Sequence, residues 1–159
     1  MHHLPGYTLK VLSRVTDVVR QRLTALAPEN SVVFANGVSD EEYLACLRES
    51  TAMVSACFDE GFGIPLIEGL VAGTPLVISD IPVFREVGGR AATFFDPHDP
   101  KAFARAVLSM DTPDRWNELT ALALEQSRDF TWSESARRLD ELIRTLPPRN
   151  RKWWQPWRR

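Results

Sequence analysis

Five short apolar runs punctuate the chain: Leu9–Val15, Val32–Ala35, Ala52–Cys57, Pro75–Ser79 and Ala92–Phe95. They are rich in Val, Ile and Phe and alternate poorly, as strands covered on both faces do. Helix-start signals fall between them. Ser39-Asp-Glu-Glu42 and Thr131-Trp-Ser-Glu134 read as capping boxes. Asp99-Pro100 and Thr112-Pro113 each place a cap residue before a proline at the first helical position. After Phe95 the pattern predicts no further strand. It predicts three closing helices, over 99–110, 113–129 and 132–146, the last stopped by Pro147-Pro148. Strand–helix alternation followed by helices implies an α/β fold with a parallel, Rossmann-like sheet of about five strands and helices on both faces.

One connection carries most of the chemistry. Glu60-Gly-Phe-Gly-Ile-Pro-Leu-Ile-Glu68 follows the third strand, at the edge where open parallel sheets bind ligands. Gly61 and Gly63 permit positive φ or close backbone approach, Pro65 suits a first helical turn, and Gly73 suits the cap beyond the last. A helix from about Pro65 to Ala72 would aim its N-terminus at the loop and favour a phosphate there. The two acids stand eight positions apart. If every step were helical they would be about 12 Å apart along the axis. That does not resemble the paired carboxylates of glycoside hydrolases, about 5–5.5 or about 6.5–9.5 Å apart. The acids are therefore read as two grips on different ligand atoms. Taken singly, Glu60 is equally a helix cap and Glu68 a solvated residue; the run as a whole is what points to a phosphorylated, hydroxyl-rich ligand.

Composition narrows this little. A chain of 159 residues with 44% hydrophobic and 25% charged residues is one ordinary domain with a core. No apolar run approaches the ~20 residues of a membrane span, and the first residues lack a signal-peptide pattern. Cys46 and Cys57 have neither zinc-ligand nor disulfide spacing, so a cytoplasmic setting is expected. Within a net charge of −2, five cations and no acid in 149–159 leave residues 1–148 at −7. Such a body does not read as a nucleic-acid binder.

The site segment resembles the signature of the family-4, group 1, retaining glycosyltransferases of GT-B fold: Glu-Gly-Phe-Gly-hydrophobic-Pro, then Glu-Ala-Met-Ala-X-Gly-X-Pro-Val. Here it reads Glu60-Gly-Phe-Gly-Ile-Pro-Leu-Ile-Glu68-Gly-Leu-Val-Ala-Gly73-Thr-Pro-Leu-Val. Val33–Glu42, Ser79–Gly89, Phe95–Pro100 and Phe130–Ala136 are similar to flanking elements of that family, so the resemblance covers about residues 9–146. It implies the C-terminal, donor-binding domain of a two-domain enzyme acting on a nucleotide-diphosphate sugar, with UDP or GDP as carrier. Glu60, the catalytic candidate, would contact donor-sugar hydroxyls. Gly61, Phe62 and Gly63 would lie beside sugar and diphosphate, and the backbone of Ile64 and Pro65 beside the phosphate. Glu68 would hold the ribose, with Val38 and Asp40 flanking the base. The family needs no metal, and the chain has no Asp-X-Asp element.

The resemblance has gaps. The family's N-terminal acceptor domain, which would bring the acceptor glycan or glycolipid, has no counterpart here. Nor has the first strand and helix of the donor domain, a unit that carries an Arg and a Lys on the diphosphate. That strand is central in the usual order, so its neighbours are expected to have unpaired edges or to close on each other. Arg14, at the carboxyl end of the first strand present, is the candidate replacement cation, the alternative being a solvated Arg. Gly69 stands where the family has Ala, at roughly 0.5–1 kcal/mol in a helix, so it either permits close packing or reflects relaxed selection. Glu86 is read as bonding backbone near the site, and His98 as exposed and idle. The tail 149–159 mixes cations with three tryptophans and is read as a free or docking terminus or, less simply, as a weak contact with an anionic membrane surface. The leading expectation is a donor-binding transferase domain, weakly active or inactive alone. The alternatives are a non-catalytic nucleotide-sugar-binding module, a degenerate fragment, or a pure interaction domain.

Overall fold

The computed structural model describes residues 1–147. Two compact units divide the chain, Met1–Arg128 and the part from Asp129 onward. The expected boundary after residue 148 and the basic tail lie outside the described residues. The first unit alternates strand and helix: β1 (Leu9–Val11), α1 (Asp17–Leu26), β2 (Val32–Phe34), α2 (Asp40–Glu49), β3 (Met53–Ser55), α3 (Ile64–Ala72), β4 (Leu76–Ser79), α4 (Pro82–Gly88), β5 (Ala92–Phe95), α5 (Pro100–Leu108) and α6 (Pro113–Gln126). A 3-10 turn over Ser127–Phe130 follows, and the second unit holds α7 (Trp132–Thr145).

All strand pairs are parallel, as expected, but the sheet is split. β1 pairs with β2, and β3-β4-β5 form a separate three-stranded sheet. Among the described residues the edges of β1 and β3 stay unpaired instead of closing on each other. Leu9 donates its amide to Ser31 beyond β2, and Val11 accepts from Ala35. Ladder alternation therefore turns the amide and carbonyl of Lys10 away from β2. Met53 donates to Pro75 on the β4 side, which turns Val54 the other way. Between these edges lies a cavity of about 850 Å³, lined by Leu9, Lys10, Met53 and Val54 and by Tyr43 and Leu47 of α2.

Burial follows the split. Every residue of β4 is buried, so both its faces are covered. α3, α4 and α5 pack on it, and α6 packs on α3. The core around Val77, Phe95, Val107, Met110 and Leu119 lies there. β1 and β2 do not match the expectation of strands covered on both faces, since Lys10 and Val33 at their centres are exposed.

Two long-range hydrogen bonds tie helices to the turns that lead into β4 and β3. Thr74 Oγ1, fully buried, donates to Leu47 O at the end of α2 at 2.8 Å, and Trp116 Nε1 donates to Thr51 O at 3.1 Å. Thr51 O gains the donor that a turn carbonyl otherwise lacks, and Leu47 O, which already accepts from Ser50 N at the end of α2, gains a second one.

The capping signals meet different fates. Ser39 and Glu42 form the full reciprocal box, Ser39 N donating to Glu42 Oε2 at 2.7 Å and Glu42 N to Ser39 Oγ at 3.2 Å. Asp99 accepts from the amides of Lys101 and Ala102. Thr131 accepts from Glu134 N at 3.1 Å, but Glu134 does not reach back; Arg137 and Arg138 hold its carboxylate in charge-assisted bonds. Thr112 caps α6 by position only, without a side-chain bond.

Candidate donor-binding site

α3 starts one residue before Pro65 and ends at Ala72. Its sequence explains both ends. Gly63 precedes it in the left-handed region at φ 88°, and Gly73 closes it at φ 76°, donating to Gly69 O and Leu70 O. No side chain caps the N-terminus. Leu66 N bonds Gly63 O, and Pro65 has no N–H to lose. Among the described residues nothing accepts from the amides of Gly63 and Ile64, which leaves two donors at the positive end of the helix dipole.

The two glycines of the loop differ. Gly63 needs its positive φ, and a Cβ there would sit 3.2 Å from Leu66 Cδ1 and 3.3 Å from Phe84 Cε1. Gly61 has no positive φ, and a Cβ there would meet nothing within 4 Å. The fold requires Gly63 and leaves Gly61 open to an incoming group. Gly69 is explained by close packing: a Cβ would lie 2.9 Å from Met53 Sδ and 3.0 Å from Leu76 Cδ2, so the absence of a side chain lets α3 lie close on β3 and β4.

The two acids stand on different elements. Glu60 is exposed in the loop, its carboxylate turned onto its own chain, where Oε1 accepts from Gly61 N at 2.9 Å. Glu68 is half-buried in α3, and its Oε2 accepts from Tyr43 Oη at 2.7 Å. Burial first, and then the hydrogen bond to Glu68, holds the Tyr43 phenol well above its ordinary range. Tyr43 therefore stays a donor. Nothing in the local sequence singles out Tyr43, whose partner is 25 positions away.

The remaining candidates share the carboxyl edge of the strands. Val38 is half-buried and Asp40 exposed at the start of α2, just past β2. Arg14 is exposed in the segment after β1. Phe62 and Ile64 are largely exposed beside the glycine loop. Phe58, before the loop, rests on His98 with ring centroids 4.8 Å apart. His98 is exposed, as expected, but it is a packing partner for the loop. Glu86 does not take its expected role: it is exposed and hydrogen-bonds no described backbone group. Its neighbour Arg85 is engaged instead, gripping Asp80 in a fork at 2.5 and 2.6 Å with its guanidinium 4.9 Å from the Phe94 ring centre. Among the described residues no group of three or more His, Cys, Asp or Glu is placed to hold a metal ion.

A parallel α/β unit with an uncapped, glycine-led helix at the strand carboxyl edge and two separated acids is an arrangement for gripping a phosphorylated ligand. The chain belongs to the family of glycosyl transferases group 1, whose model matches residues 15–115. It is 34% identical over 123 residues to the O-antigen chain mannosyltransferase RfbU of Salmonella typhimurium, covering 73% of this chain and 35% of that protein. It is 28% identical over 151 residues to mannosylfructose-phosphate synthase of Agrobacterium fabrum, covering 90% and 33%. The fold is that of a sucrose-phosphate synthase from Thermosynechococcus elongatus, with TM-score 0.73 and 23% identity over 88% of this chain and 38% of that one. The chain thus spans about a third of the length of the curated relatives it matches.

Proposed function

We propose that this domain binds the donor of a retaining glycosyltransferase, a UDP- or GDP-sugar, and acts with an acceptor-binding domain outside these 159 residues. The observation that carries the reading is the start of α3, where Gly63 in the left-handed region presents the unpaired amides of Gly63 and Ile64 to an anion. Gly61 and Phe62 flank that anion, Pro65 keeps the helix start clear, and Arg14 supplies a cation from the segment after β1. Glu60 then leaves its own loop for the hydroxyls of the donor sugar. Glu68 takes the ribose, with Val38 and Asp40 on either side of the base. As the sugar leaves, charge develops on the diphosphate, and fixed amide dipoles are best placed to stabilise it. The reaction keeps the anomeric configuration and draws on no divalent metal, so EDTA leaves it unchanged.

The acceptor is a glycan or glycolipid reached at the cytoplasmic side, and the 149–159 tail is the candidate for a weak membrane contact there. No helix among the described residues is long and apolar enough to cross a membrane. Alone, the domain binds donor weakly and turns it over little. Calorimetry with UDP, GDP and their sugars tests the reading, with Glu60→Ala as control. Binding of one diphosphate at micromolar to millimolar level supports it, and Glu60→Ala weakens the sugar nucleotide more than the bare diphosphate. No heat at millimolar ligand overturns it. Binding without any transfer when an acceptor domain is supplied favours the non-catalytic module.

A further inference from the structure

We propose that Tyr43 is a positioning residue of the ribose subsite: it fixes the Glu68 carboxylate so that the second oxygen faces the ribose diol. The inference rests on the donor-binding reading above. Three observations carry it. First, the start of α2 is rigidly set. The Ser39–Glu42 box closes its first turn, and Tyr43 N donates to Ser39 O at 2.9 Å. Asp40 and Tyr43, three residues apart, share one face of that helix. The element that carries the base-flanking Asp40 therefore also carries the phenol. Second, the phenol reaches across to α3 and donates to Glu68 Oε2 at 2.7 Å, and no described group donates to Glu68 Oε1. A carboxylate has lone pairs for several donors, so one oxygen can be held while the other takes a hydroxyl. Third, burial and the carboxylate raise the phenol above its ordinary range, so Tyr43 keeps its proton and stays the donor at neutral pH.

Glu is rotamer-rich, and an unheld Glu68 would have to be ordered by each ligand it binds. Tyr43 does that ordering beforehand, which raises affinity only for ligands that use the carboxylate. The predicted signature is therefore a loss of discrimination between ribose and deoxyribose.

The test is a cycle of protein and ligand changes. UDP, GDP and their 2′-deoxy counterparts are titrated by calorimetry into the full chain and its Tyr43→Phe and Glu68→Ala variants, at a temperature where all are folded. Wild type prefers the ribonucleotide. In Tyr43→Phe its affinity falls about tenfold, the value of one hydrogen bond to a charged group, while the deoxynucleotide changes less than about twofold. Glu68→Ala collapses the preference as well. A mere packing role for Tyr43 would weaken both ligands alike and leave the ratio intact. A wild-type ratio in Tyr43→Phe with a collapsed ratio in Glu68→Ala overturns the inference and leaves the donor-binding reading standing. Equal affinity for both sugars in wild type also overturns it. Absence of any nucleotide binding sinks the donor-binding reading itself.

Discussion

Alanine placed at Gly63 and at Gly61 should act in opposite directions, although the two lie two residues apart in one loop. At Gly63 a side chain meets two obstacles. The backbone at φ 88° is in the left-handed region, at roughly 1–2 kcal/mol for a residue with a Cβ. The new methyl would also sit 3.2 and 3.3 Å from Leu66 and Phe84, both almost fully buried, and pushing them aside costs about 1 kcal/mol. Restricting the unfolded chain returns about 0.4–1 kcal/mol. Gly63→Ala should therefore destabilise the domain by about 2 kcal/mol, a fall in Tm of roughly 4–8 °C at this size. At Gly61 neither obstacle exists, so Gly61→Ala should be neutral or stabilising by up to ~0.5 kcal/mol. Urea unfolding followed by tryptophan fluorescence measures both, and unchanged m-values confirm that native stability is being compared. On the proposed donor pose the same Gly61→Ala protein should lose nucleotide affinity, because its methyl would stand where the diphosphate approaches. If Gly63→Ala unfolds within about 0.5 kcal/mol of wild type, or Gly61→Ala is destabilised equally, the division between fold glycine and ligand glycine is wrong.

Two further outcomes follow from contacts away from the loop. Thr74→Val keeps shape but removes the 2.8 Å bond to the Leu47 carbonyl and leaves it the Ser50 amide at 3.1 Å, so stability should fall by about 0.5–1.5 kcal/mol in the same urea assay; no measurable change would show that the Ser50 amide alone satisfies that carbonyl. Glu134 is held down from 4.5 to about 2, first by its hydrogen bonds to Arg137 and then by those to Arg138. A depressed carboxylate stabilises the fold fully above its unfolded value and loses that contribution as pH falls through the folded one, so the support for α7 should fade between pH 4.5 and 2. A carboxyl NMR titration with a midpoint near 4.5 would disprove the arginine clamp.

The features that were readable from the sequence are those whose causes are local. Gly63, Pro65 and Gly73 fix the ends of α3 through their own φ preferences, and the Ser39–Glu42 box needs only its own turn. Even local signals failed where a stronger partner competed, as Arg137 and Arg138 do for Glu134. Thr112 failed differently, remaining in place with its hydroxyl unused. Contacts between distant residues left no pattern to find. Tyr43 looks like any aromatic in an amphipathic helix until α3 brings Glu68 to it, and Trp116 finds Thr51 across 65 positions. The covered-strand signature was overextended to β1 and β2: in β1 the central Lys10 already marked an open face, whereas Val32-Val33-Phe34 reads the same whether or not helices cover its second face. Gly69 shows the reverse: two explanations were open in the sequence, and Met53 and Leu76 decide for close packing.

The split in the sheet falls between the two halves of the proposed donor site. Arg14, Val38 and Asp40 follow β1 and β2, whereas Glu60 to Glu68 follow β3. Base and diphosphate would thus be gripped by two plates that share no ladder. What joins the plates lies on the helical layer, in the Tyr43–Glu68 and Thr74–Leu47 bonds. A nucleotide laid across the strand ends would be a tie-bar on the other side. Its length, from base to phosphate, would set the angle between the plates, and amide exchange at Lys10 and Val54 would report how firmly it is drawn tight.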